Sequence, residues 1–321
     1  MPLKFDPEFL DAIQPHLDEL KELGKPAIND VEGQRARYNR ETKLVNDFMP
    51  DTPCVDVVEH QVQSYLGGNI TVFEFRAHSK QPLSLTAAII HIHGGGMIAG
   101  QVMDSSKMLK DLTTETGLPV CSVDYRLAPE HPHPVPVEDC YAGLEWLILH
   151  APSLDIDPER IAILGESAGG GLAACTAILA RDRQLKPALA KQVLICPMLD
   201  DRNTKPIKEL NYLASWTADD NVTGWAVLLG HDTVGGDNVS SSGAAARVVS
   251  MEGLPPLCID VGGLDIFATE SIVYAGRLAA GNIHVELHVY SGVPHGFELL
   301  APDIRSARKA KRNRLRALMD I

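Results

Sequence analysis

The sequence predicts an α/β fold with a mostly parallel central sheet, helices on both faces and an antiparallel N-terminal edge. From residue 86 onward, apolar strand-like runs such as AAIIHIH, LPVCSVDY and RIAILG alternate with helical stretches. This alternation is typical of a parallel sheet that is covered on both faces. Two earlier strand-like runs flank Gly67-Gly68-Asn69, a hairpin signal that predicts the antiparallel edge.

Two segments depart from this alternation and are expected to form a helical cap. Residues 1–50 carry apolar residues at helical spacing, and residues 201–250 are polar and rich in glycine and serine towards their end. We interpret 1–50 as N-terminal cap helices and 201–250 as a cap insertion, with 51–200 and 251–321 forming the main α/β domain. A passive surface excursion is the alternative interpretation of 201–250.

Composition and charge argue against nucleic-acid partners. The chain of 321 residues has a formal net charge of −13 and only 5% aromatic residues. Phosphate backbones repel an acidic protein, and few aromatic side chains are present to stack on bases. We therefore expect no nucleic-acid partner, and we interpret the negative charge as one that favours solubility.

Cysteine usage predicts reduced thiols and no metal site. Five of the six cysteines lie in apolar segments typical of core strands and helices, and the sequence contains no CxxC motif. Buried thiols of this kind suit a reducing compartment. The N-terminal residues lack the apolar stretch of a signal peptide, and the longest apolar runs are too short to span a bilayer. A cytoplasmic location is therefore expected.

The most informative motif is Gly165-Glu166-Ser167-Ala168-Gly169, which fits the G-x-S-x-G pattern of a nucleophile elbow. The strand-like run RIAIL precedes it and a helix of small residues follows, which is the context that the pattern requires. The serine of such an elbow occupies a strained turn, and glycines let the strand and the helix pass closely. The motif predicts Ser167 as a nucleophile; small residues that serve packing alone are the alternative.

A second motif, His93-Gly94-Gly95-Gly96, follows the strand-like run AAIIHI and predicts an oxyanion hole. Acyl transfer needs hydrogen-bond donors aimed at the oxyanion, and backbone N–H groups reach it where no side chain intervenes. We assign this role to the N–H groups of Gly95, Gly96 and Ala168. A phosphate-binding loop is the rival interpretation, but the lysine of a P-loop is missing.

A serine nucleophile needs a base and an acid that follow it in the chain. Serine, acid and histidine occur in that order in hydrolases whose nucleophile lies on an elbow. His295 lies after the strand-like run HVELHVYSG and is the candidate base. Asp265 directly follows the run PPLCIDV and is the candidate acid, whereas Asp260 lies inside that run and Glu270 on the next helix.

Five motifs in order closely resemble those of the hormone-sensitive-lipase-like esterases of bacterial family IV. They are HGGG at 93–96, YRLAPE at 125–130, GESAGG at 165–170, LDIF at 264–267 and HVYSGVPHGF at 288–297. The resemblance implies an α/β-hydrolase fold beneath a helical cap and hydrolysis of short to medium acyl esters without a cofactor. It also implies a Ser167, Asp265 and His295 triad, an oxyanion hole at the three assigned N–H groups, and a structural role for YRLAPE.

The sequence departs from the common family pattern near the expected substrate pocket. Met97 stands where an aromatic residue often follows HGGG, and a flexible methionine alters the shape of an acyl pocket. Trp216 and Trp225 lie in the expected cap insertion. We therefore expect Met97, Trp216 and Trp225 to shape the pocket.

These observations together predict a serine carboxylesterase that acts on a small acyl ester. A lactonase, a deacetylase or an amidase with the same triad is the nearest alternative, and a ligand-binding protein that has lost turnover is the alternative of a different class. The strongly basic segment 305–316 is interpreted as a solvated helix face, and a membrane role is not expected because its apolar face is small. A monomer or a homodimer is expected.

Overall fold

A computed structural model describes residues 4–78, 85–204 and 213–321 of the chain. Eight strands form one sheet in the order β1-β2-β4-β3-β5-β6-β7-β8. The strands are β1 (Val55–Gln63), β2 (Asn69–Ala77), β3 (Thr86–Ile92), β4 (Val120–Asp124), β5 (Ile156–Glu166), β6 (Lys191–Ile195), β7 (Leu257–Gly262) and β8 (Val285–Tyr290). β1 pairs with β2 and β2 with β4 in antiparallel fashion, and the other neighbours are parallel. The predicted fold class and its antiparallel N-terminal edge are confirmed.

Helices of the described residues surround this sheet. They are α1 (Pro7–Ile13), α2 (Leu17–Glu22), α3 (Val31–Phe48), α4 (Ser106–Thr116), α5 (Val135–His150), α6 (Ala168–Asp182), α7 (Ala218–Leu229), α8 (Ala268–Ala280), α9 (Phe297–Leu300) and α10 (Arg305–Met319). Hydrophobic cores occupy both faces of the sheet, and a smaller cluster joins Phe9 and Ile13 of α1 to Phe297 and Ala307 near the C-terminus. The N-terminal segment is therefore packed onto the C-terminal part of the chain.

The strand sequences explain why the sheet is buried. The central strand β3 is buried over six of its seven residues, and β7 over all six, as expected of parallel strands covered on both faces. Register places Ile92 beside Gly165 and Ile195 beside Asp260. The carboxyl ends of β3, β5, β6 and β7 consequently meet at one edge, where ligands of open parallel sheets bind.

Helix α3 lies over this edge and is held by two sets of charged contacts. Arg35 forms two hydrogen bonds to the carboxylate of Glu130, at 2.8 and 2.6 Å, and one to the carbonyl of Ile98 at 2.7 Å. Arg37 donates to the Asp220 carboxylate at 2.9 Å, and both side chains are buried. Glu130 ends the YRLAPE motif, and its contact with Arg35 joins that motif to α3.

Helices α3 and α7 belong to the two segments that were expected to form the cap. The Arg37–Asp220 pair joins them, and Asn29 N–H also donates to Thr223 Oγ1 of α7 at 2.9 Å. Residues 205–212 of the expected insertion lie outside the described residues. The division of the chain into cap and main domain remains a prediction.

Several basic side chains of the C-terminal helix form ion pairs within the protein. Lys311 bonds Asp111, Arg314 bonds Asp260 and Glu298, and Arg316 contacts Glu286. Among the helices of the described ranges, none has both the length and the hydropathy needed to span a bilayer. All six cysteines are free thiols, and five of them are buried.

Candidate active site

Ser167 lies at the sharp turn between β5 and α6. Its backbone has φ 54° and ψ −120°, a strained combination for a residue with a side chain. The turn is fixed by hydrogen bonds from Ser167 N–H to the Ile195 carbonyl at 2.8 Å and from Met198 N–H to the Ser167 carbonyl at 2.9 Å. Strained backbone that is held in this way is typical of functional sites.

The flanking glycines allow the close approach of strand and helix at this turn. A Cβ atom at Gly165 would lie 2.3 Å from the Gly169 carbonyl oxygen. A Cβ atom at Gly169 would lie 2.1 Å from the Ile92 carbonyl oxygen, at the end of β3. The elbow geometry expected from the motif is therefore present, and side chains at these two positions would disrupt it.

The three side chains predicted as the triad come together in hydrogen-bonding contact. His295 Nε2 lies 3.0 Å from Ser167 Oγ, and His295 Nδ1 lies 2.6 Å from Asp265 Oδ2. Asp265 is held in turn because its other oxygen accepts from Phe267 N–H at 2.9 Å. The arrangement lets the imidazole accept the serine proton while the carboxylate fixes its tautomer.

The surroundings of His295 favour its protonated form. Burial opposes the charge, but the Asp265 carboxylate and the Cys196 side chain outweigh it, so the pKa of His295 is raised well above its ordinary value. A buried carboxylate at this position stabilises the imidazolium that forms when the serine is deprotonated. Cys196, which directly follows β6, is a neighbour of the histidine that sequence patterns did not indicate.

Three backbone N–H groups near Ser167, all of buried residues, have no hydrogen-bond partner within the described residues. They belong to Gly95, Gly96 and Ala168, the residues assigned to the oxyanion hole. Leaving a buried donor unpaired is costly, so such groups are rare in folded proteins. Donors left free beside a nucleophile are suited to bind an oxyanion when it forms.

Glu166 links the elbow to the glycine loop. Its carboxylate accepts from Gly94 N–H at 3.1 Å through one oxygen and contacts His91 Nε2 at 2.8 Å through the other. Burial raises the pKa of Glu166, but His91 and the Gly94 N–H more than offset this effect, and the net shift is downward. Glu166 thus positions the glycine loop that carries the N–H groups of Gly95 and Gly96.

A second serine–histidine–carboxylate chain lies behind the first. His91 Nδ1 contacts Ser122 Oγ at 2.7 Å, and the two residues are partners on neighbouring strands β3 and β4. Ser122 and His91 are fully buried, and neither lines the cavity described below. The chain of Ser122, His91 and Glu166 is therefore a structural network, and no substrate carbonyl can reach it.

The two other carboxylates considered as the triad acid have different partners. Asp260 forms two hydrogen bonds to Arg314, at 2.6 and 2.7 Å. Glu270 accepts from Leu199 N–H at 2.6 Å, and burial raises the pKa of Glu270 to about 8. In the described structure neither carboxylate contacts His295, which is consistent with the choice of Asp265.

A cavity of about 470 Å³ opens at Ser167 and His295. Its walls come from α3, the glycine loop, α4, Trp216 and the C-terminal helices, and they are mainly apolar. A size in this range suits a small to medium organic ligand.

Of the three predicted pocket residues, the structure brings only Trp216 to the cavity. Its ring lies so close to Gly96 that a Cβ atom there would be 2.0 Å from it. Met97 and Trp225 are instead 0% and 1% exposed within the main hydrophobic core. Met97 has φ 65° and packs beneath the loop, and Trp225 lies on the core-facing side of α7, so both are corrected to core residues.

The fold and the site define an α/β-hydrolase with a serine–histidine–aspartate arrangement, and comparison with known proteins agrees. A family model described as alpha/beta hydrolase fold matches residues 89–299. The chain is 31% identical to the esterase LipI of Mycobacterium tuberculosis, over 72% of this chain and 71% of that protein. It is 30% identical to the carboxylesterase NlhH of the same organism, over 91% of this chain and 90% of that protein.

The solved structures give the same answer. A bacterial heroin esterase superimposes with a TM-score of 0.87 at 31% identity, covering 99% of this chain and 98% of that chain. The chain belongs to the α/β-hydrolase family, as its motifs predicted. The expectation of an enzyme of the carboxylesterase type is confirmed at the level of the family, since these relatives are esterases.

Proposed function

We propose that this protein hydrolyses carboxylic esters of short to medium chain length, with Ser167 as nucleophile, His295 as base and Asp265 as the acid that orients it. The observation that supports this most directly is the contact of 3.0 Å between Ser167 Oγ and His295 Nε2 at the floor of an open cavity. The relatives named as esterases support the same activity.

The reaction would proceed in two halves through an acyl-enzyme. Ser167 Oγ attacks the ester carbonyl while His295 Nε2 takes its proton, and Asp265 stabilises the imidazolium. The carbonyl oxygen becomes an oxyanion that the N–H groups of Gly95, Gly96 and Ala168 bind. The alcohol leaves with the proton from His295, and a water molecule, activated by the same histidine, then releases the acid and restores Ser167.

The same site is chemically able to open lactones or to cleave acetyl groups and amides. An amide has the poorer leaving group, which the histidine must protonate fully before it departs. The mainly apolar lining of the cavity favours uncharged acyl groups. We therefore keep the ester as the proposed substrate class, and a panel of esters, lactones and amides ranks the others.

The direct test measures hydrolysis of p-nitrophenyl esters of graded acyl length by the protein and by its Ser167→Ala variant. We expect kcat to fall by about 10⁶-fold in the variant, as in other serine hydrolases. The rate against chain length also reports how far the cavity accepts an acyl group. Near-normal turnover by Ser167→Ala would end the proposal.

Ser122 provides the matched control for this test. It is a serine that contacts a histidine in the same protein, but it is buried away from the cavity. The Ser122→Ala variant should lose less than about tenfold in kcat, since it removes one neutral hydrogen bond. A loss as large as that of Ser167→Ala would mean that the two chains had been assigned the wrong roles.

A further inference from the structure

The cavity contains a carboxyl group that the proposed mechanism does not use. Glu41 lies on α3, whose inner face presents residues to the cavity at helical spacing. The α3 residues that line the cavity are Gln34, Arg37, Tyr38, Glu41, Thr42, Val45 and Asn46. Arg35 and Arg37 hold the helix through the contacts described above, and Glu41 lines the same cavity as Ser167.

Glu41 differs from every other charged side chain on the cavity wall. The described wall has seven carboxylates and three lysine or arginine side chains. Six of the carboxylates have partners, and the pairs are Asp104 with Gln101, Asp111 and Glu115 with Lys311, Glu166 with His91, Asp220 with Arg37 and Glu298 with Arg314. Within the described residues, the carboxylate of Glu41 makes neither an ion pair nor a hydrogen bond.

An unpaired carboxylate is unfavourable in these surroundings. Burial within the cavity raises the pKa of Glu41, an effect that the positive charges of Arg37 and His295 oppose only in part, while Asp220 adds to it. Arg37, one helical turn away, is directed to Asp220 and to the Ser215 carbonyl. A ligand that brought a positive charge to Glu41 would therefore relieve a cost already present in the free protein.

The rest of the wall also suits a cation. Carboxylates outnumber lysine and arginine side chains on the wall, so the cavity attracts positive charge. Tyr38 and Trp216 line the same space as Glu41. Aromatic faces next to a carboxylate are a common setting for ammonium groups, which bind both by charge and by cation–π attraction.

We propose that Glu41 recognises a positively charged nitrogen on the substrate, so that the preferred substrates are esters that carry an ammonium group. This inference rests on the esterase function proposed above and adds the class of ester. Ser167 and Glu41 line one cavity of about 470 Å³, so a single ester of moderate size reaches both.

The test compares two esters that differ in charge and hardly in shape. Choline butyrate carries a quaternary nitrogen, and 3,3-dimethylbutyl butyrate has a neutral carbon in its place. The readout is the ratio of their kcat/KM values within each enzyme, which does not depend on the amount of folded protein. We expect the ratio to fall by about 10- to 100-fold in Glu41→Gln, because the quaternary nitrogen loses the attraction of the carboxylate charge while the neutral ester loses nothing comparable.

An acidic residue on the outer face of the same helix supplies the control. Asp47 is exposed and pairs with Lys43, so Asp47→Asn removes the same charge without changing the cavity wall. The ratio of the two kcat/KM values in Asp47→Asn should equal that of the unmodified protein. An unchanged ratio in Glu41→Gln, or an equal fall in both variants, would overturn the inference.

Three further outcomes show how this inference stands relative to the function on which it rests. If the ratio falls in Glu41→Ala but not in Glu41→Gln, the charge of Glu41 plays no part in the discrimination and the cation assignment is wrong. If the unmodified protein hydrolyses the neutral ester and Ser167→Ala does not, the esterase function stands whatever Glu41 does. If the unmodified protein hydrolyses neither ester, both proposals fail together.

Discussion

Substitution of Gly96 by alanine should lower the rate of ester hydrolysis as well as the stability of the fold. Gly96 has φ 64°, where a side chain costs about 1–2 kcal/mol. A Cβ atom there would lie 2.0 Å from the Trp216 ring, so either the ring or the loop must move. Moving the loop shifts the Gly96 N–H, and a displacement of about 1 Å at a reacting centre costs roughly 10²-fold in rate. Crowding by the ring adds about 1–3 kcal/mol to the loss of stability.

Gly117 isolates the backbone effect from the effect on the site. It ends α4 with φ 69°, and a Cβ atom there would meet no atom within 4 Å. The Gly117→Ala variant should therefore lose about 1–2 kcal/mol of stability from the backbone alone and keep its kcat. The assay is kcat on a p-nitrophenyl ester, with thermal unfolding of both variants. If kcat of Gly96→Ala came within twofold of that of Gly117→Ala, the assignment of Gly96 to the oxyanion hole would be refuted.

Three further outcomes follow from the site and the helix contacts above it. Asp265→Asn should lower kcat by about 10⁴-fold, because the imidazole loses the partner that fixes its tautomer, and steady-state kinetics checks this. In the unmodified protein, kcat/KM should rise with pH through a midpoint above 6.5, because His295 must be neutral to act as base and its pKa is raised. A pH–rate profile that is flat from 5 to 9 would contradict this role. Asp220→Ala should lower the unfolding free energy by about 3–5 kcal/mol in denaturant titrations, because it removes the ion-pair partner of buried Arg37. Asp47→Ala, which breaks the exposed pair with Lys43, should lower it by less than about 1 kcal/mol.

The elements that could be predicted from the sequence are those that local patterns specify. The alternation of apolar strands and helices indicates the parallel sheet, because each strand must be covered on both faces. The glycines around Ser167 indicate the elbow, since a Cβ atom at Gly169 or Gly165 would lie only 2.1 or 2.3 Å from a backbone carbonyl oxygen. The order of Ser167, Asp265 and His295 along the chain gave a triad whose side chains do meet in the structure.

Features set by contacts between distant segments could not be predicted in this way. Arg37 and Asp220 are 183 residues apart, and neither lies in a motif that would link them. Hydropathy could not distinguish Trp216, which lines the cavity, from Trp225, which is buried in the core nine residues later. The position of Glu41 also depends on how α3 docks over the sheet edge, which its sequence does not specify.

The central claim is that the Ser167 hydroxyl is the group that becomes acylated. Intact-protein mass spectrometry after incubation with a p-nitrophenyl alkylphosphonate tests this most directly, because the reagent phosphonylates an activated serine and stays attached. The account predicts one adduct per chain, located by peptide mapping at Ser167 and missing from both Ser167→Ala and His295→Ala. A single adduct on another residue, or a protein that hydrolyses esters without forming any adduct, would contradict it.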